Sequence, residues 1–217
     1  GSVEAFLKND LYNPERQMLG TEQEVWLQRA LQNSKARGAT WQVLGQQVLM
    51  GKLNIPVIPP EDLAQLELSA YVRPRVEQTQ QLAPYGLPSN LDAWDGYPAA
   101  RERLFALLTA HATNPISLAG DTHNGWAFNL TSQKGEAVGV EWGTPGVSSP
   151  GLETYVPLPP ERMQALLKGA SPELVACDTS QRGWTHVTPT PETATAQWRF
   201  VSSVVEPTYQ VSASESL

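Results

Sequence analysis

Apolar positions in the first part of the chain recur near a helical period: Trp26, Leu27, Ala30 and Leu31 fall on one face of a helix. Thr21 followed three residues later by Glu24 has the spacing of a capping box, so a helix is expected to start there and to stop among Asn33, Ser34 and Gly38. From 41 to 48 the pattern changes to Trp, Val and Leu without helical spacing, which reads as a strand entering a buried sheet. Between 51 and 91 stand Pro56, Pro59, Pro60, Pro74, Pro84 and Pro88. That density leaves room for one short regular piece near 62–70, and the segment is expected to be an extended surface connection.

Pro98 suits the first turn of a helix, and Leu104, Leu107 and Leu108 share a face over 99–112. After Asn114-Pro115, the run Ile116-Ser117-Leu118-Ala119 reads as a strand that gives way to the polar loop Gly120-Asp121-Thr122-His123-Asn124. Further strands are expected over 126–130 and 138–142, a short helix over 161–168, and a hairpin of 183–188 with 194–205. Residues 206–217 are expected to form a flexible tail. Mixed helices and strands predict an α/β fold.

Composition narrows the possibilities. The chain has 217 residues, enough for one domain with a short appendage but not for two full domains. An apolar content of 41% with seven tryptophans excludes a disordered chain. Fifteen basic against 22 acidic side chains give a net charge of -7, so no nucleic-acid-binding patch is expected and anionic membranes are disfavoured. No apolar stretch approaches the roughly 18 residues of a membrane span. The single cysteine, Cys177, excludes an intrachain disulfide and a multi-thiolate zinc site. Gly1-Ser2 reads as a cloning scar, residues 1–13 as tag and leader, and 14–205 as the folded body.

The loop 120–124 is the most informative segment. Asp121 and His123 stand two apart at a strand end, and in extended backbone such residues project to the same side, where a carboxylate oxygen and an imidazole nitrogen can share a metal. Ligand sites of open α/β sheets lie at such strand ends. A single Asp-x-His also arises by chance and decides nothing by itself. His111 at a helix end, His186 within a strand and Cys177 read as structural, and Glu141 is a weaker candidate. Trp94-Asp95-Gly96-Tyr97-Pro98 fits either a tight turn before a helix or a part in catalysis. The sequence holds neither a phosphate-cradling Gly-x-x-x-x-Gly-Lys loop nor a Gly-x-Ser-x-Gly elbow.

Four stretches in order resemble the C-terminal half of the PhoD-type alkaline phosphatases, members of the calcineurin-like metallophosphoesterase superfamily. They are Met18 to Leu27 with Trp41 to Val48, then Trp94-Asp95-Gly96-Tyr97-Pro98-Ala99-Ala100-Arg101, then Gly120-Asp121-Thr122-His123, and Arg182-Gly183-Trp184 leading to Trp198-Arg199-Phe200-Val201. The resemblance implies the C-terminal half of an αββα sandwich, two β-sheets flanked by helices. It implies metal-dependent hydrolysis of phosphate mono- or diesters, with Asp121 and His123 as ligands of iron and calcium and as the catalytic centre. Asn124 and Trp126 are expected to line the substrate side, with Gln46-Gln47 and Ser148-Ser149 nearby. It also implies a periplasmic or secreted location and a missing N-terminal half, supplied as a separate chain or lost as a processed fragment, without which the chain is inactive. The alternative is a non-catalytic fragment or binding module that keeps the scaffold.

Overall fold

In a computed structural model that describes residues 2–217, the first residues are already packed. Ser2–Phe6 form helix α1, continued by a wider helical turn over Leu7–Leu11. Val3, Phe6 and Leu7 gather beside Leu11, Ile55, Ala83 and Leu87, so the expected leader is in fact tied to the body. Gly1 lies outside the described residues.

Helix α2, Thr21–Ala36, begins where the spacing predicts but by a different device. Gly20 is the capping residue and its carbonyl accepts the Glu24 N–H at 3.0 Å. Thr21 sits one position too late for its hydroxyl to cap, and Glu24 instead reaches Arg103 at 3.4 Å. Strand β1, Gln42–Gly45, follows. The proline-rich region carries two helices, α3 (Pro60–Gln65) and α4 (Arg73–Leu82). Each has a proline in its first turn, where a missing N–H breaks no intrahelical bond, so these prolines start helices; α3 overlaps the short piece expected near 62–70, and α4 goes beyond it.

Helix α5 is Pro98–His111, β2 Pro115–Ala119, β3 Gly125–Thr131, β4 Ala137–Gly143, α6 Pro160–Ala170 and β5 Leu174–Asp178. The hairpin is β6, Arg182–Pro189, with β7, Ala194–Val201, and β8 is Val211–Ala213. The main sheet has the order β1-β2-β4-β3-β5, with β1, β2 and β4 parallel and β3 antiparallel to both its neighbours. The second sheet is β6-β7-β8. The expected flexible tail therefore pairs: Ser214 N–H donates to Trp198 O and Leu217 N–H to Ala196 O, both at 2.9 Å.

Alternation along β3 divides the core in two. Trp126, Phe128 and Leu130 face the helices and join Leu104, Phe105 and Leu108 of α5 with Met163 and Leu167 of α6. Ala127 faces the other way, where Ile116 and Trp142 meet Ala196, Trp198 and Phe200 of the second sheet. The fold is α/β, with two sheets face to face and helices on the flank, as predicted. Among the described residues no helix is long and apolar enough to cross a membrane.

A buried polar network fixes the chain beyond β1. The Glu141 carboxylate, fully buried in β4, accepts the N–H groups of Met50 and Gly51 at 2.8–2.9 Å and the Ser117 hydroxyl at 2.7 Å. Arg101, also buried, donates to Met50 O at 2.6 Å and to Glu173 Oε2 at 2.7 Å. Glu173 in turn accepts the Lys52 N–H at 3.0 Å and the Thr131 hydroxyl at 2.6 Å. An unpaired charge in such a place would be strongly destabilising, and here each has partners.

Candidate functional site

Strand β2 ends at Ala119, whose carbonyl accepts the Thr144 N–H at 2.8 Å, and Gly120 N–H then donates to Gln47 O at 2.9 Å. Thr122 N–H turns back to Gly120 O at 2.8 Å, closing a three-residue turn on Asp121. Among the described residues, Asp121 (φ 66°) and His123 (φ 61°) are the non-glycine positions with positive φ. A γ-turn of this hand is rare and strained. Left-handed backbone costs an L-residue about 1–2 kcal/mol, somewhat less for Asp. Strain of this kind persists only where the surroundings over-determine it, and it concentrates at functional sites.

The contacts of the loop show what holds it. Nδ1 of His123 lies 2.9 Å from Pro150 O. A carbonyl can only accept, so Nδ1 carries a hydrogen, and in the neutral ring this tautomer leaves the Nε2 lone pair for another partner. Arg182, buried at the start of β6, donates from Nη1 to His123 O at 3.0 Å and to Gln181 O at 2.7 Å, while its Nη2 pairs with Glu153. Burial works against the Glu153 charge, but the Arg182 hydrogen bond and backbone donors outweigh it and hold the carboxyl below its usual range. Asn124 donates to Thr122 O at 2.6 Å and accepts the Leu152 N–H at 3.1 Å, and the Trp126 indole donates to the Thr122 hydroxyl at 2.6 Å.

These distances revise the path from sequence to site. The loop is not extended, so the same-side argument for Asp121 and His123 does not apply to it. Asp121 borders a small hollow of about 30 Å³ with Val48, Asn90 and Asp95. His123 opens onto a cleft of about 450 Å³ between the loop, α4 and α6, and Thr122 borders both. Both residues are exposed. Asn124 and Trp126 line the cleft but are buried, with their polar groups already hydrogen-bonded to Thr122 and, for Asn124, to the Leu152 N–H. Gln47 does lie beside Asp121, donating to Oδ1 at 3.4 Å, and Ser149 is near His123 in that both crowd Gly146.

The remaining candidates have structural places. Gln46 donates to Ser117 at 2.8 Å and accepts the Trp94 indole N–H at 2.6 Å. Asp95 accepts the Leu53 N–H, so the Trp94–Gly96 turn with Arg101 buttresses the chain beyond β1. His186 is exposed on β6, His111 ends α5, and Cys177 is buried in β5. Sequence reading missed Glu153 and gave Arg182 no role. Their only signal was the Arg-Gly-Trp motif, and a partner 29 residues away cannot be inferred from spacing.

As metal donors, Asp121 and His123 suit a hard or borderline cation: a carboxylate with one long hydrogen bond, and an imidazole whose Nδ1 is held by a carbonyl. They are two donors, and among the described residues no group of three or more His, Cys, Asp or Glu is placed to hold a metal.

The chain has relatives among known proteins. It is 34% identical over 119 residues to "Alkaline phosphatase D" of Bacillus subtilis (strain 168), a match covering 54% of this chain and 15% of that protein. It superposes on the solved structure titled "Structure of PhoD" with a TM-score of 0.66 and 26% identity, over 96% of this chain and 34% of that one. The chain thus spans a minor part of the length of these relatives. The PhoD-like phosphatase family model matches residues 3–198, and the chain belongs to that family.

Proposed function

We propose that this chain is part of a phosphatase that hydrolyses phosphate mono- or diesters, contributing Asp121 and His123 to its metal centre. The observation that carries the reading is a coincidence: Asp121 and His123 of the Gly-Asp-x-His motif are, among the described residues, the two that hold left-handed backbone without being glycine. Family membership supports the same chemistry. Asp121 would offer a carboxylate oxygen and His123 its Nε2. Iron with calcium, by resemblance, would supply Lewis acidity at a phosphoryl oxygen and an activated water. The chain's own residues set the loop: Pro150 O fixes the imidazole tautomer, Gln47 steadies Asp121, and Asn124 and Trp126 form the wall of the cleft beside His123.

Two donors fall short of the five or six that each hard cation takes. The other donors would come from the portion of a PhoD-type enzyme that lies outside this chain, and the chain by itself would be inactive. A periplasmic or secreted location rests on the resemblance alone. The test is metal analysis and p-nitrophenyl phosphate turnover by the longer enzyme that contains this chain. Asp121→Ala and His123→Ala should each lower bound metal and kcat/KM by at least 100-fold, on the order of 3 kcal/mol. Retained metal and retained turnover would remove the assigned roles. A second reading, a scaffold without chemistry, would leave the same incomplete donor set among the described residues. That reading predicts no bound metal in the longer protein.

A further inference from the structure

Beyond the two proposed ligands, the Arg-Gly-Trp motif finds a use. We infer that Arg182 and Glu153 form a positioning pair that holds His123 in its left-handed, Nδ1-protonated form. The inference rests on the reading of His123 as a site residue, but its geometry stands independently.

Arg182 is 8% exposed at the first position of β6, and its guanidinium joins three stretches of chain. Nη1 caps the carbonyl of His123, the residue whose φ is 61°. Nη2 pairs with Glu153, whose Oε1 also accepts the Gly151 N–H at 3.3 Å. Gly151 directly follows Pro150, the residue whose carbonyl accepts the hydrogen bond from His123 Nδ1. The backbone and the ring of His123 are thereby gripped from one ion pair: the guanidinium directly on its carbonyl, the carboxylate through the 150–151 peptide. The fit leaves no spare volume. A Cβ at Gly151 would lie 2.4 Å from Asn124 Oδ1, 2.7 Å from Arg182 Nη2 and 2.7 Å from Glu153 Oε2. Gly183, the residue after Arg182, lies close against β7, since a Cβ there would strike the Arg199 backbone at 1.8 Å. Arg is suited to the task because its planar fork bonds in several directions at once, which an ammonium on a flexible stem does not reproduce.

Oriented ligands of this kind raise metal affinity by about 10–100-fold through the groups behind them. The test uses the 217-residue chain and reads the imidazole directly. Long-range ¹H–¹⁵N spectra, with His123 identified by loss of its signal in His123→Gln, should show a single Nδ1–H tautomer in the parent chain. In Arg182→Met the ring should become a mixture of tautomers, and Arg182→Lys should not restore it. Circular dichroism separates this from unfolding; if Arg182→Met does not fold, Glu153→Gln, at a more exposed position, is the variant read. In the longer enzyme, Co²⁺ affinity should fall about 10–100-fold with the same variants. A His123 that keeps a pure Nδ1–H tautomer in a folded Arg182→Met chain overturns the proposal. Loss of the tautomer without any Co²⁺ binding in the parent enzyme would keep the clamp and sink the metal reading instead.

Discussion

The backbone N–H of Leu53 donates to Oδ2 of Asp95 at 3.0 Å, joining the connection after β1 to the turn before α5 across 42 positions. Burial pushes the Asp95 carboxyl up to about 7 from its ordinary 3.8, against the opposing pull of the Leu53 bond and of Arg101. Between about pH 4 and 7 the folded chain therefore keeps a proton that the unfolded chain has released. Stability from this group is fully present below the unfolded value, declines as pH rises through that window, and levels off above about 7.

Asp95→Asn retains an acceptor for Leu53 and removes the proton. Urea unfolding at pH 5 and pH 8 is expected to show the parent chain losing roughly 2 kcal/mol more than the variant over that interval, given about 1.4 kcal/mol per pH unit at most. Parallel pH dependences of the two proteins would show that Asp95 does not hold its proton in the fold.

Glu141 supports the same connection from below. Glu141→Ala strands the Met50 and Gly51 N–H groups and the Ser117 hydroxyl in a dry place, and each unsatisfied donor costs about 1–3 kcal/mol. The expected loss is at least 3 kcal/mol in chemical denaturation. A loss under about 1 kcal/mol would mean that water reaches these groups.

How much of this was legible in the sequence follows from what each residue touches. The helices at 21–36 and 98–111 and the strand before Gly120 announce themselves by local pattern. Strand β5 gives no such signal, because Leu174–Asp178 is too short for its alternation to show and is defined by pairing with β3. The Trp94 to Pro98 block left two readings open, and burial decides: Asp95 serves a backbone amide and Trp94 a glutamine. The Gly-Asp-x-His loop was legible as chemistry, but its shape was not. A left-handed turn at Asp121 and His123 depends on Gln47, Pro150 and Arg182, which lie far away in sequence.

Cys177 gives a simple check on β5. Burial, then the neighbouring Asp178 charge, push its thiol up to about 12, and the residue is 6% exposed. Little thiolate exists near neutral pH, and reagent access is closed. A disulfide-exchange reagent at pH 8 should label the native chain at least 100-fold more slowly than the urea-unfolded chain. Labelling at comparable rates would place the sulfur at the surface.

Asp121 holds a positive φ that an L-residue adopts at a cost. In an ordinary loop or helix position alanine is the more stabilising of alanine and glycine, because glycine has more freedom to lose on folding. At φ 66° the order should reverse, since alanine inherits the left-handed penalty and glycine does not. Asp121→Gly is expected to be more stable than Asp121→Ala by about 1 kcal/mol, measured by equilibrium unfolding of this chain. Both lack the carboxylate, so in the longer enzyme both should lose metal and turnover alike. Alanine proving the more stable of the two would mean that the turn relaxes once the carboxylate is gone, and that the backbone at this position is set by Asp121 itself.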